Sequence, residues 1–222
     1  MTVHFEKQLD QLRRQLVTLG SMVEEHVTMA IRAAEEQDRG LAQEAIDRDD
    51  DVDTLQMEIS EESLHLVALF QPVASDLRFV ITVQTVINEL ERIGDHAHDI
   101  GQGVLRLLDS GAHFDLPPLL QTSKEASIEM LRQSLDALLD RDAAKARAVI
   151  AADDKVDESH RGMYDWFKKG VRQRLDDLDW MMEMLTISRH VERIADHATN
   201  IAESVVYLVE GELVRRSGDR SR

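Results

Sequence analysis

The chain has 222 residues, no cysteine, three prolines, 4% aromatics and a formal net charge of −17. The charge excludes a phosphate-backbone binder, because affinity for nucleic acid comes largely from Lys and Arg. The missing cysteines exclude disulfides, thiolate metal sites and thiol catalysis. Ala, Leu, Glu, Asp, Arg and Gln dominate, a composition that suits long helices with aliphatic cores.

Phe5, Leu9, Leu12, Leu16, Leu19, Val23, Ala30 and Ala33 recur at spacings of three and four, the seam of an amphipathic helix. His26 falls on that seam and reads as a core histidine with its polar tip satisfied. The helix should end near Asp38-Arg-Gly40, with Gly40 as a left-handed cap. A second helix is predicted from about Leu41, through Val52, Leu55, Ile59, Leu66 and Leu69, stopping before Pro72. A third should run from a cap at Ser75 or Asp76 to about Leu108. Asp109–Pro118 reads as a linker. Further helices are predicted over about 119–139, 143–171 and 176–210, with Asp176 and Asp177 as candidate caps of the last.

The chain is duplicated internally. Glu91-Arg-Ile-Gly-Asp95-His-Ala-His-Asp-Ile100 returns as Glu192-Arg-Ile-Ala-Asp196-His-Ala-Thr-Asn-Ile201, an offset of 101 with seven of ten positions identical. Asp49 and Asp53 return as Asp153 and Asp157, and Asp38 as Asp142, at an offset of 104. The expected fold is therefore all-α, two tandem, pseudo-symmetric three-helix bundles. They would occupy residues 1–108 and 119–213, joined by the linker 109–118 and followed by a disordered tail, 214–222.

Residues four apart share a helix face, so Asp49/Asp53, Glu91/Asp95, Asp153/Asp157 and Glu192/Asp196 are acidic pairs. In an antiparallel hairpin, residues equidistant from the turn sit at one level. Asp53 with Glu91, and Asp49 with Asp95, are both centred on Pro72. Asp157 with Glu192, and Asp153 with Asp196, are both centred between Arg174 and Leu175. Each half thus brings four carboxylates together. Asp99 extends the first ladder by a turn, and Asn200 takes the equivalent place in the second. Like charges at i, i+4 destabilise a helix by roughly 0.2–0.5 kcal/mol per pair, so the arrangement asks for a cation. All-oxygen ligation favours magnesium, manganese, calcium or iron over zinc, with room for more than one ion. Arg92 and Arg193 can neutralise part of the charge. His96, His98 and His197 lie beside the sites; His96 and His197 read as surface histidines.

These residues, with Gln71-Pro-Val-Ala-Ser-Asp-Leu-Arg78 and Val206-Tyr-Leu-Val-Glu-Gly211, resemble the PhoU family of phosphate-transport accessory proteins over about residues 5–213. The resemblance implies tandem three-helix bundles, often dimeric, with metal on repeated Glu/Asp-x-x-x-Asp motifs at the four acidic pairs. Ala195 for Gly94 and Asn200 for Asp99 are departures between the halves. It further implies a non-enzymatic adaptor linking the phosphate ABC transporter, through its ATPase subunit, to the phosphate-sensing histidine kinase and repressing the starvation response. A ferritin-like di-metal carboxylate enzyme is the alternative. Its Glu-x-x-His motif has one match, Glu62-Ser-Leu-His65, with no counterpart in the second half. The amino-terminal residues lack the apolar core of a signal peptide, and a cytoplasmic location is expected.

Overall fold

The periodic segments fold as helices, and a computed structural model describes residues 3–111, 114–173 and 177–212. In chain order the helices are α1 Val3–Glu36, α2 Arg39–Asp47, α3 Asp49–Phe70, α4 Ala74–Asp109, α5 Pro118–Asp140, α6 Ala143–Gln173 and α7 Leu178–Glu210. No strand occurs among the described residues. The expected tail over 214–222 and the turn at Arg174, Leu175 and Asp176 lie outside them.

Three boundaries differ from expectation, each for a local reason. The predicted second helix is two, α2 and α3, broken at Arg48. The chain bends there with little backbone loss, since Arg48 N–H still donates to Glu44 O and Val52 N–H to Arg48 O. Gly40 does not cap α1. Gln37 takes the left-handed conformation at φ 52°, and Gly40 lies in the first turn of α2, where its N–H donates to Asp38 Oδ1 at 2.7 Å. Asp38 also accepts from Leu41 N–H at 3.0 Å, which makes it the N-cap. The duplication preserves this device: Arg141 is left-handed at φ 52°, and Asp142 Oδ1 accepts from Ala144 and Lys145 N–H. At the α3–α4 turn neither Ser75 nor Asp76 caps α4. Gln71 is left-handed, Pro72 follows, and Val73 sits extended at the N-cap with its carbonyl accepting from Asp76 N–H.

Each half is an up-down-up set of arms: α1, α2 with α3, and α4; then α5, α6 and α7. The last arm of each half is central. α4 packs on α1, α2, α3 and α7, while α7 packs on α4, α5 and α6. α1 also touches α5, so the halves meet along two seams, and one apolar core runs through both. Within the connection Phe114 is buried and its carbonyl accepts from Gln37 Nε2 at 2.8 Å.

The bent second arm of the first half approaches α4 closely. A Cβ on Gly101 of α4 would stand 2.9 Å from the backbone oxygen of Ala42 in α2. At the equivalent place the second half has Ala202, fully buried, and an unbroken α6. Gly101→Ala is expected to cost about 1–3 kcal/mol by overpacking, despite alanine's better helix propensity. Urea denaturation checks this, and an unchanged or raised stability would show that α2 yields freely.

Candidate metal centres

Asp49 opens α3 just after the bend, with Asp53 one turn on; Glu91 and Asp95 face them from α4. The four carboxylates sense one another. Burial pushes Asp49 up to about 6; nearby His98 opposes this, and Asp53, Asp95 and Asp50 add to it. Glu91 is raised by burial first and then by Asp95, with Asp53 and Asp49 contributing and Arg92 opposing. Asp95 is raised by burial against Arg92, with Asp53 and Asp99 adding. Asp49 Oδ1 is buried with no hydrogen-bond partner in the protein, whereas Oδ2 lies 3.5 Å from His98 Nδ1. Gly94 lies close by: a Cβ there would sit 3.4 Å from Asp49 Oδ1, an ordinary contact, and 3.3 Å from Val52.

The second centre repeats the plan on α6 and α7. Asp153, Asp157 and Asp196 each offer an oxygen within 4.8 Å of the other two. Glu192 is raised by burial and then by Asp196, with Asp157 adding and Arg193 opposing. The guanidiniums take the same post in both halves. Arg92 lies 3.5 Å from Glu91 and 3.6 Å from Asp95; Arg193 lies 3.8 Å from Glu192 and 3.5 Å from Asp196. Both arginines are largely solvated, so they only partly offset the carboxylates. The halves are not identical. His98 is replaced by buried Thr199, and Gly94 by Ala195.

A divalent cation suits these groups. In the second half the hard oxygens of Asp153, Asp157 and Asp196 converge; in the first, one buried oxygen of Asp49 has no partner in the protein and burial raises that carboxyl.

Asp99 and Asn200 are placed differently from the acidic pairs. The Asp99 carboxylate faces His190 of α7, with Oδ2 3.6 Å from Nδ1. The Asn200 amide donates to Glu89 Oε2 at 2.9 Å. His96 and His197 are not surface residues but half-buried in the α4–α7 seam, their rings 5.4 Å apart. Burial, with His190 and His197 nearby, holds His96 down at about 3. His197 Nδ1 donates to Glu89 Oε2 at 2.7 Å. Burial works against the Glu89 carboxylate, but the bonds from His197 and Asn200 hold it below its ordinary range. Neither Glu89 nor His190 stands out in the sequence, although the 101-residue offset pairs them as equivalents. Glu62 and His65 lie toward the other end of α3, in a groove with His4 and Glu58, apart from either centre.

A family model for the PhoU domain matches residues 16–104 and again 120–205. A phosphate-specific transport system accessory protein PhoU homolog from Clostridium acetobutylicum is 33% identical over 95% of this chain and 96% of that protein. The accessory protein PhoU of Escherichia coli is 34% identical over 96% of this chain and 88% of that one. The crystal structure of PhoU from Pseudomonas aeruginosa superposes with a TM-score of 0.90 at 31% identity. It covers 94% of this chain and all of that one.

Proposed function

Because the chain belongs to the PhoU family, we propose that it is a regulatory adaptor of phosphate homeostasis. It joins the phosphate ABC transporter, at its ATPase subunit, to the phosphate-sensing histidine kinase and keeps the starvation response off when phosphate is plentiful. Similarity to phosphate-transport accessory proteins over almost the whole chain carries the reading. No helix among the described residues is long and apolar enough to cross a membrane. In the proposed role the adaptor acts from the cytoplasm as a homodimer and reaches the membrane through its partners. The proposed role is non-enzymatic; Ser188 pairs with His160 at 2.9 Å beside the second centre, but both are buried. Tagging the protein in its own cells and recovering membranes at high and low phosphate tests the adaptor role. Co-purification of the transporter ATPase or the kinase supports it; recovery of the protein alone with a redox-active metal would favour the carboxylate enzyme.

Metal belongs to this reading as a structural or sensing element. Asp49, Asp53, Glu91 and Asp95 would hold it in the first half, and Asp153, Asp157, Glu192 and Asp196 in the second. A bound divalent ion would neutralise the clustered carboxylates and offer phosphate a cation to bridge to. Without it the residues present only negative charge, which repels phosphate. Glu91→Ala with Asp95→Ala should lower bound metal and leave the fold intact. The metal-free variant should be slightly more stable than the metal-free parent, by roughly 0.2–0.5 kcal/mol for each like-charge pair removed. Elemental analysis with urea denaturation reads both effects, and unchanged metal stoichiometry would sink the ligand assignment.

A further inference from the structure

The seam between α4 and α7 repeats one arrangement twice, with the halves exchanged. Under the 101-residue offset His96 corresponds to His197, Asp99 to Asn200 and His190 to Glu89. The contacts correspond as well. On one side His197 and Asn200 both reach Glu89, at 2.7 and 2.9 Å. On the other, His96 Nδ1 and Asp99 Oδ2 both approach His190 Nδ1, at 3.3 and 3.6 Å.

The chemistry of the two sides is opposite. Glu89 is an acceptor facing two donors, so its side is closed by ordinary hydrogen bonds. On the other side a histidine replaces the acceptor and a carboxylate replaces the amide. The nitrogen–nitrogen distance is longer than the usual hydrogen-bond range, and at 3.6 Å the His190–Asp99 approach is outside it. Two imidazole nitrogens bound tetrahedrally to zinc at about 2.0–2.1 Å would stand about 3.3 Å apart. The observed separation of His96 Nδ1 and His190 Nδ1 is 3.3 Å. One ligand atom from each of His96, Asp99 and His190 lies within 4.8 Å of the other two. All three side chains are partly exposed, Asp99 by 46%, so an ion has a path in and a place for a water ligand.

We propose that His96, Asp99 and His190 bind one divalent transition-metal ion, zinc by chemistry, in the seam between the halves. Two nitrogens and one carboxylate oxygen select a borderline ion, unlike the all-oxygen centres on α3–α4 and α6–α7. The site would tie α4 to α7 beside the Arg106–Glu183 pair, which bonds across the same side at 2.6 and 3.2 Å, while Glu89 closes the other side by hydrogen bonds alone.

The metal-stripped full chain given one equivalent of zinc and examined by X-ray absorption should show scattering from two imidazoles. The double variant Asp99→Asn, His190→Glu installs on this side the residues of the other. It should keep the helical circular dichroism, lose the imidazole signal and bind zinc at least about tenfold more weakly, since even outer-shell losses at metal sites cost 10–100-fold. Should the double variant misfold, Asp99→Asn alone removes a half-exposed ligand and must weaken zinc binding by a similar factor. Glu91→Ala with Asp95→Ala, and Asp153→Asn with Asp157→Asn, should leave the imidazole-bearing zinc in place, which separates this site from the acidic centres. Oxygen-only zinc in the parent, or an imidazole signal and affinity unchanged in the variants at Asp99 and His190, overturns the proposal.

Discussion

The metal-free protein is expected to lose about 3 kcal/mol of stability between pH 6.5 and about 4 through His26 alone, a loss that His26→Gln should abolish. His26 lies in α1 with no exposed surface, and its Nε2 contacts the Ala45 carbonyl at 2.6 Å. With that nitrogen donating, Nδ1 is the site for a second proton, and it is buried without a hydrogen-bond partner. Burial lowers the group to about 4; the bond to Ala45 opposes this, and Arg48 and His98 reinforce it. In the unfolded chain the same ring titrates near 6.5. Between the two values the unfolded state binds the extra proton, so stability is full above 6.5, falls as the pH falls, and levels off below 4.

Asp49 has the opposite sign. Its folded value, raised chiefly by burial, is about 6 against 3.8 in the free chain, so the folded state holds that proton and gains stability as pH falls through this range. The two effects overlap, and a stability profile of the parent alone would blur them. The difference between parent and His26→Gln isolates the histidine, because Gln can still donate to Ala45 O while carrying no charge. Urea midpoints and slopes at several pH values from 7 to 4 supply the measurement. Parallel profiles for the two proteins would show that His26 accepts its second proton in the folded state.

Glu35→Gln should destabilise the protein by about 2–4 kcal/mol, whereas Lys124→Met should cost under about 1 kcal/mol. The two residues form the polar tie of the α1–α5 seam, with Lys124 Nζ paired to Glu35 Oε1. The Lys124 side chain is 8% exposed and that of Glu35 33%. This inequality decides the outcome. Removing the carboxylate charge leaves an ammonium in an apolar seam with only a neutral amide beside it. Removing the ammonium leaves a carboxylate that water already reaches, and methionine fills the space of the lysine stem. The pair Glu35→Leu, Lys124→Met should lie near the parent, since buried ion pairs rarely outperform apolar replacements of similar volume. Thermal and urea unfolding of the three variants and the parent give the cycle. Equal losses in the two single variants would mean that water reaches Lys124 in solution.

The helical arms were legible because their apolar positions keep one period for twenty or more residues. The break at Arg48 was not. Ala42, Ala45, Val52 and Ile59 are all buried, so the stripe continues across the bend and nothing marks it. The close approach that goes with it depends on Gly101, which lies more than fifty residues away and admits the Ala42 backbone. The cap at Gln37 was missed for a related reason. Gly40 is the residue that tolerates a left-handed turn without cost, but Asp38 claims its N–H for the next helix, and the turn falls on a residue with a Cβ. In the acidic centres, registry about the turns placed the four pairs on facing arms, and their mutual electrostatics follows that placement. The α4–α7 seam was illegible because it joins the halves rather than lying within one. Its defining pair, Glu89 and His190, is where the repeats disagree, and a search for identity between repeats passes over it.

The exchange of contacts across α4 and α7 also bears on how such a chain can arise. Two separate copies of a single half, meeting along these helices, would form an isologous dimer in which every residue change is made twice. A change useful at one end would be imposed at the other. Covalent fusion of the copies removes that constraint. In the fused chain one end can keep a carboxylate held by an imidazole and an amide, while the other collects two imidazoles and a carboxylate. The single chain is then a heterodimer in all but covalent connectivity, with partners at fixed one-to-one stoichiometry and free to specialise.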